Sequence, residues 1–269
     1  MTTVPPIVLT VAGSDPSGGA GLQADLKTFH QHGAYGMAVP TCLTVQSTRG
    51  VSDVEALAPS LVKAQLDTLL EDLAPKAAKT GALGSADTAR VVGGIMAETE
   101  LPWVVDPVWR PTQGRPLAQG DIVEAYREAV IPRAALLTPN VEEAGLLTGM
   151  PIRDLREARQ AAERLLELGA GAVLLKGGHL EGAARGTDVL ALGSGLHELR
   201  AERVVDGSFH GTGCALSASI AARLALGADL HTAVAGAKRW LGGALAHALS
   251  LGKGAKLVNH LWPLPDEPR

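Results

Sequence analysis

Aromatic residues make up only 3% of the 269 positions, so the core has to be built from small and aliphatic side chains. With 32 glycines and abundant alanine, that shortage favours close helix–strand contacts and tight turns, the packing of a layered α/β protein rather than a β-sandwich. There are two cysteines, Cys42 and Cys214, far apart in sequence, outside any CxxC and without a closely spaced histidine partner. Neither a zinc site nor a disulfide framework fits that pattern. The net charge is −4 and no long basic run occurs, so the electrostatic footprint of a nucleic-acid binder is missing and an anionic ligand has to be held locally. No apolar stretch approaches about 18 residues, which argues against a membrane span. The opening MTTVPPIVLTVAGSD has no basic segment and too short an apolar run for a signal peptide. The expectation is a cytoplasmic protein with no membrane or nucleic-acid partner. No repeat, low-complexity tract or linker divides it, so residues 1–269 read as a single domain, with WPLPDEPR as a frayed tail.

What is present is a series of short apolar runs: IVLTVA from Ile7, AVPTCLTV from Ala38, AAKTGAL from Ala77, WVVDPV from Trp103, ALLTPN from Ala135 and AVLLKGG from Ala172. They read as buried strands. Helical periods lie between them. From Asp154 to Leu168, residues Leu155, Ala158, Ala162, Leu165 and Leu166 share one face, and Arg156, Glu157, Arg159, Glu163 and Arg164 turn away. Strands alternating with such helices predict βαβ units and a largely parallel sheet covered on both faces. Several runs end in polar or glycine-rich turns, GSDPSGGAG, QSTRG, DPVWRPTQG, TPNVEE and KGGH. In a parallel sheet the ligand crevice lies at those carboxyl ends.

The turns carry the chemistry. GAGLQA, Gly19 to Ala24, matches a dinucleotide fingerprint, but the second strand ends in Gln46 instead of the acidic residue such a site needs, and no Gly-Lys-Ser/Thr follows. What remains is a loop opening a helix around Ala20, with Asp15 in it and Asp25 one turn in. It reads equally as a tight turn or as a ligand cover. In FHGTGC, the residues Gly211, Thr212, Gly213 and Cys214 lead into a helix from about Cys214 to Leu226. Unpaired amides and the positive end of the helix dipole then make an anion hole without any lysine. That field is expected to lower the Cys214 thiol pKa; the alternative is a small packed hydrophobe. Asn140 and Glu143 fit a helix-capping pattern, and the same spacing suits outer contacts to a hydrated Mg²⁺. Asp106 adds a carboxylate at a strand end, and Lys176 a cation that can meet phosphate. His179 reads as an ordinary turn residue. His30 and His32 are expected on a helix surface, with His231 and His247 on the last long helix. Ser14, Ser17 and His210 lack a G-x-S-x-G elbow, which disfavours a hydrolase. An anion hole, two carboxylates and a lysine on one rim are the equipment of phosphoryl transfer.

AGSDPSGGAGLQADLKTF, VQSTRGV, AKTGALG, DPV, TPNVEEA, LLKGGHLEG and HGTGCALSASIAA occur in an order that resembles, over nearly the whole chain, the hydroxymethylpyrimidine/phosphomethylpyrimidine kinases of thiamine biosynthesis. The resemblance implies the ribokinase-like fold, a three-layer αβα sandwich around a mainly parallel sheet, and a homodimer. It implies that ATP and Mg²⁺ phosphorylate 4-amino-5-hydroxymethyl-2-methylpyrimidine and then its monophosphate. By motif, Gly211 to Cys214 become the anion hole, with Cys214 in the general-base place. Gln46 would bind the aminopyrimidine edge, and Asp15, Ala20 and Val108 would face the substrate. Lys176, Lys238 and Asp106 would serve the nucleotide end, and Asn140 and Glu143 the metal. Vitamin B6 (pyridoxal or pyridoxine) kinases share the superfamily and are the alternative enzyme reading; a non-catalytic pyrimidine- and nucleotide-binding protein is the other. After DPV the chain has WRPTQG, where the family has Met, two residues and Lys-Ser/Thr-Gly, leaving Arg110 and Arg115 as that loop's cations. Ser208 and Phe209 replace an Asn-Thr pair.

Overall fold

In a computed structural model, residues 4–111, 114–178, 180, 184–202 and 204–263 are described. Thr112, Gln113 and His179 lie outside them. Strands β1 (Ile7–Ser14), β2 (Tyr35–Ser47), β3 (Gly50–Ala56), β4 (Ala77–Thr80), β5 (Trp103–Val105), β6 (Leu136–Leu137), β7 (Val173–Leu175), β8 (Thr187–Leu192) and β9 (Gly195–Arg200) form one sheet. Their spatial order is β3-β2-β1-β4-β5-β6-β7-β8-β9. The inner strands from β2 to β7 pair in parallel, and β3, β8 and β9 join antiparallel at the edges. A separate small ribbon joins β10 (Phe209–His210) to β11 (Lys256–Leu257).

The expected runs became the inner strands because both faces are covered. Alternate residues of β1 and β5 prove it: Leu9, Val11, Trp103 and Val105 enter one apolar layer, while Val8 and Val104 enter the other. The first layer is closed by α2 (Pro59–Asp72), α3 (Ala86–Ala97), α4 (Ile122–Ala125), α5 (Val141–Thr148) and α6 (Leu155–Glu167). The second is closed by α1 (Gly21–Gln31), α7 (Thr212–Ala225) and α8 (Leu230–Ala246). Helix α6 follows its periodicity: Asp154 caps it by accepting the Glu157 N–H at 2.7 Å, and Ala158, Ala161, Ala162 and Leu165 are buried. Truncating Leu165 to Ala would cost about 2–5 kcal/mol, as for other buried leucines.

One expectation needs correction. His32 is not on a helix surface. It caps the end of α1, where its Nε2 lies 2.8 Å from Ser219 Oγ and its ring meets Trp240 edge-on at 5.1 Å. The chain turns there beneath α7 and α8, so the imidazole fills the second layer. Trp109, in the loop after β5, packs edge-on against Tyr126 with ring centres 5.5 Å apart and is 4% exposed.

Candidate functional site

A cavity of about 590 Å³ opens at the carboxyl ends of the parallel strands. Its walls include Asp15, Ala20, Gln46, Asp106, Val108, Asn140, Glu143, Lys176 and all four residues from Gly211 to Cys214. The sheet order spreads these groups along one rim, with Gln46 toward the β3 edge, Asp106 central and Lys176 toward the β8 side. Lys238 is set back from the cavity. Its Nζ lies 2.5 Å from Asp188 Oδ2 and 3.1 Å from the carbonyl oxygen of Gly186, and Gly186 itself lines the wall.

Helix α7 begins two residues earlier than its sequence pattern indicates. Gly211 is the N-cap, and Ala215 N–H makes the first helical bond, to Gly211 O at 2.9 Å. The amides of Thr212, Gly213 and Cys214 therefore fall in the first turn, whose N–H groups have no helical acceptor. Gly211 has φ 86°, and a Cβ there would overlap the Gly19 carbonyl oxygen. Glycine is thus required by both the left-handed backbone and the close approach of the two glycine loops. Gly21 is held the same way, at φ 58° against the Gly13 carbonyl.

At the centre, Asp106 is fully buried and accepts from Lys176 Nζ at 2.8 Å, Thr138 Oγ1 at 3.2 Å and Ser217 Oγ at 3.4 Å. Burial opposes charge on Lys176, but the carboxylates of Asp106 and Glu143 outweigh it and hold the ammonium well above its usual range. Asn140 and Glu143 form the full capping box. Asn140 Oδ1 accepts the Glu143 N–H at 2.8 Å, and Glu143 Oε2 accepts the Asn140 N–H at 2.7 Å. The same Oε2 lies 4.0 Å from Lys176 Nζ. Burial is the chief reason that the Glu143 pKa rises to about 7, against the pull of Lys176 and with a push from Asp106.

Cys214 departs from expectation. Burial pushes its thiol up to about 11, despite the Lys79 ammonium nearby and a hydrogen bond from the Gly21 amide. Loss of water around the sulfur, with the negative charges of Asp25 and Asp106 nearby, outweighs the helix field. The protonated thiol is the ground state.

Three features escaped the sequence reading. His210 Nε2 lies 2.7 Å from Asp15 Oδ2 and 3.2 Å from the Gln46 amide, joining residues 195 and 164 positions apart. Asp15 also accepts from Ser17 and from the Ala20 N–H at 2.9 Å, so it staples its own loop. Burial alone would raise its carboxyl, but the bonds from His210 and Ser17 bring it below the usual value. Lys79 and Asp25 form a fully buried pair at 2.7 Å, to which Thr10 Oγ1 adds a 2.6 Å bond. Phe209 pairs with Lys256 in the small ribbon and lines the cavity mouth. Of the two arginines after β5, Arg110 lines the cavity, whereas Arg115 is drawn to Asp53 of β3 at 3.2 Å.

The model of the phosphomethylpyrimidine kinase family matches residues 15–259. A hydroxymethylpyrimidine/phosphomethylpyrimidine kinase of Synechococcus elongatus is 43% identical, over 96% of this chain and 98% of its own length. One from Streptomyces coelicolor is 42% identical, over 97% and 96%. Among solved structures, the ADP complex of Bacillus subtilis pyridoxal kinase has a TM-score of 0.87 at 32% identity, covering 96% of this chain and 98% of that one. Phosphomethylpyrimidine kinase from Clostridium difficile has a TM-score of 0.76 at 37% identity, covering 87% and 96%.

Proposed function

The chain belongs to the phosphomethylpyrimidine kinase family and has its ribokinase-like fold, and from that premise we propose that it uses ATP to phosphorylate a hydroxymethylpyrimidine and then the monophosphate, supplying thiamine biosynthesis. The observation that carries the reading is one cavity with three fittings. The wall at Gln46, Ala20 and Val108 faces the acceptor, with the Gln46 side chain as its amide, the first turn of α7 lies beside Lys176, and Gly186 leads toward Lys238. The whole described chain serves this one site, and we treat it as a single kinase domain.

In this reading the acceptor oxygen forms a bond to the γ-phosphorus as the bond to the leaving diphosphate breaks. The amides of Thr212, Gly213 and Cys214 meet the charge on the transferring group, and Lys176, held by Asp106, meets the chain of phosphates. Cys214 is a protonated thiol, so it orients the hydroxyl as a hydrogen-bond partner and does not take its proton. A loose phosphoryl transition state releases that proton late, to an oxygen of the transferred phosphoryl group, so no strong base is needed. Arg110, on the cavity wall after β5, is a cation that can meet a phosphorylated acceptor.

Among the described residues no group of three or more His, Cys, Asp or Glu side chains gathers to cage a metal. Asn140 and Glu143 spend side-chain atoms on the cap, and Lys176 already sits between the two carboxylates. This donor set fits a Mg²⁺ held by nucleotide phosphates and its own waters, with Glu143 and Asn140 touching those waters. Bound there, the ion would neutralise phosphate charge. The described residues contain no helix long and apolar enough to cross a membrane. Leu43 and Val45, exposed on β2, give a homodimer a surface to use, and a cytoplasmic setting suits two free cysteines.

The second reading, pyridoxal phosphorylation, is favoured by the closer superposition on pyridoxal kinase, 0.87 against 0.76. An ATP-consumption assay with the hydroxymethylpyrimidine, its monophosphate and pyridoxal separates the readings. Turnover of both pyrimidines supports the proposal, and turnover of pyridoxal alone overturns it. Tight binding of a pyrimidine without turnover by any of the three would mark a non-catalytic binder.

A further inference from the structure

The hydrogen bonds around Gln46 do more than hold it. His210 Nε2 is 2.7 Å from Asp15 Oδ2. An ionised carboxylate only accepts, so this imidazole nitrogen carries a hydrogen and donates it. One terminus of the Gln46 amide lies 3.2 Å from the same nitrogen. A nitrogen that carries its hydrogen has no lone pair to give there, so the amide end facing it has to be the oxygen. The nitrogen placed there would set donor against donor.

The other terminus gives an independent answer. It lies 3.0 Å from Thr44 Oγ1, and Thr44 Oγ1 is 2.9 Å from the carbonyl oxygen of Ser14. A hydroxyl has one hydrogen, and the carbonyl can only accept it. Thr44 therefore offers Gln46 a lone pair, which calls for the amide NH₂. Amide orientation is decided by such a network. Both sides select the same one, with Oε1 toward His210 and Nε2 toward Thr44, after a half-turn of the amide from its placement with Nε2 at the imidazole.

We infer that His210, held by Asp15, is a positioning residue that locks the Gln46 amide in this orientation and makes the pocket read a ligand edge carrying an amino donor beside a ring-nitrogen acceptor. The single His210 Nε2 hydrogen goes chiefly to Asp15, so Oε1 takes only its longer branch; with that end facing His210 and one N–H given to Thr44, Gln46 keeps an acceptor and a donor in fixed order for the cavity it lines. A 4-oxo pyrimidine presents the reverse order, a carbonyl beside a ring N–H, and meets acceptor with acceptor and donor with donor. A site built on directed hydrogen bonds rejects such a mismatch far more strongly than an apolar wall does. The inference deepens the pyrimidine-kinase reading and rests on it for the identity of the ligand.

The test compares kcat/KM for the 4-amino and 4-oxo forms of the hydroxymethylpyrimidine in wild type, His210→Ala and His210→Gln. Once His210 is gone the amide can turn, and the amino-over-oxo preference should fall about tenfold, mainly through KM. Glutamine places an N–H near the position of Nε2 and should restore most of the preference. An unchanged ratio in folded His210→Ala overturns the inference. The imidazole ¹⁵N spectrum of the unliganded protein decides the underlying geometry without turnover. A protonated Nε2 supports the lock, and a hydrogen on Nδ1 alone overturns it. If wild type phosphorylates neither pyrimidine, the functional reading fails while the spectrum still decides the orientation.

Discussion

The Lys79–Asp25 and Lys176–Asp106 pairs contain the same groups at nearly the same separation, 2.7 and 2.8 Å. Lys79 and Asp25 are both wholly sealed, whereas Lys176 keeps 16% of its side chain exposed and lines the cavity. The first pair ties α1 to β1 and β4. Burial opposes the charge of Lys79, and the carboxylates of Asp25 and Asp106 overcome it; burial likewise pushes the Asp25 carboxyl up. The second pair has the first turn of α7 above it, since a Cβ on Gly213 would come within 3.2 Å of Lys176 Nζ and 3.3 Å of Asp106 Oδ2. Perturbed ionisation is common to both, so it does not by itself mark chemistry. Access to a ligand does.

The comparison breaks most visibly at Gly213. Gly213→Asp puts a carboxylate against Asp106 and into the amide cradle, and turnover should fall about a thousandfold or more while the protein stays folded. Near-normal turnover in a steady-state assay would refute the cradle. Next, Lys176→Met should lower kcat about a hundredfold, with some loss of Tm because buried Asp106 keeps only its Thr138 and Ser217 bonds. Lys79→Met should act on stability first, costing about 3–5 kcal/mol in urea unfolding because Asp25 is left buried and unpaired, with a smaller effect on kcat. If the two variants exchange these phenotypes, the distinction between a structural and a functional pair is wrong. Cys214→Ala should lower kcat about tenfold. An unchanged kcat would return the sulfur to a packing role.

The smallest effect is one of pH. Folded Glu143 titrates near pH 7 and its ordinary value is 4.5. Between those values the folded state binds more protons than the unfolded one, so this group's contribution to stability declines as pH rises through that window. Glu143→Gln should flatten that part of the stability profile in unfolding measurements at pH 5 and pH 7. An unaltered slope would show that Glu143 is ionised throughout.

The inner strands were legible because parallel strands covered on both faces are continuous apolar runs, and their abrupt ends marked the rim on which Asp106, Asn140 and Lys176 stand. The edge was harder to see. Strand β9, GLHELR, is mostly exposed, and β3 alternates charged and apolar residues, so neither carries a buried-run signal. Side-chain pairing across long separations left no local trace. Lys79 meets Asp25 across 54 positions and His210 meets Asp15 across 195. His210 was visible in FHGTGC but had no chemistry without its partners. The direction of the Cys214 shift was misread for a related reason: the helix dipole is a local property of sequence, whereas removal of water from the sulfur depends on Gly21, Lys79 and Asp25 arriving from elsewhere.

The most direct measurement is a ³¹P NMR time course of the purified protein with ATP, Mg²⁺ and the hydroxymethylpyrimidine. The account predicts a pyrimidine monophosphate that rises and is then converted to the diphosphate, with one ADP formed at each step. ATP that stays intact, or is hydrolysed to ADP and free phosphate without any ester to the pyrimidine, would contradict it.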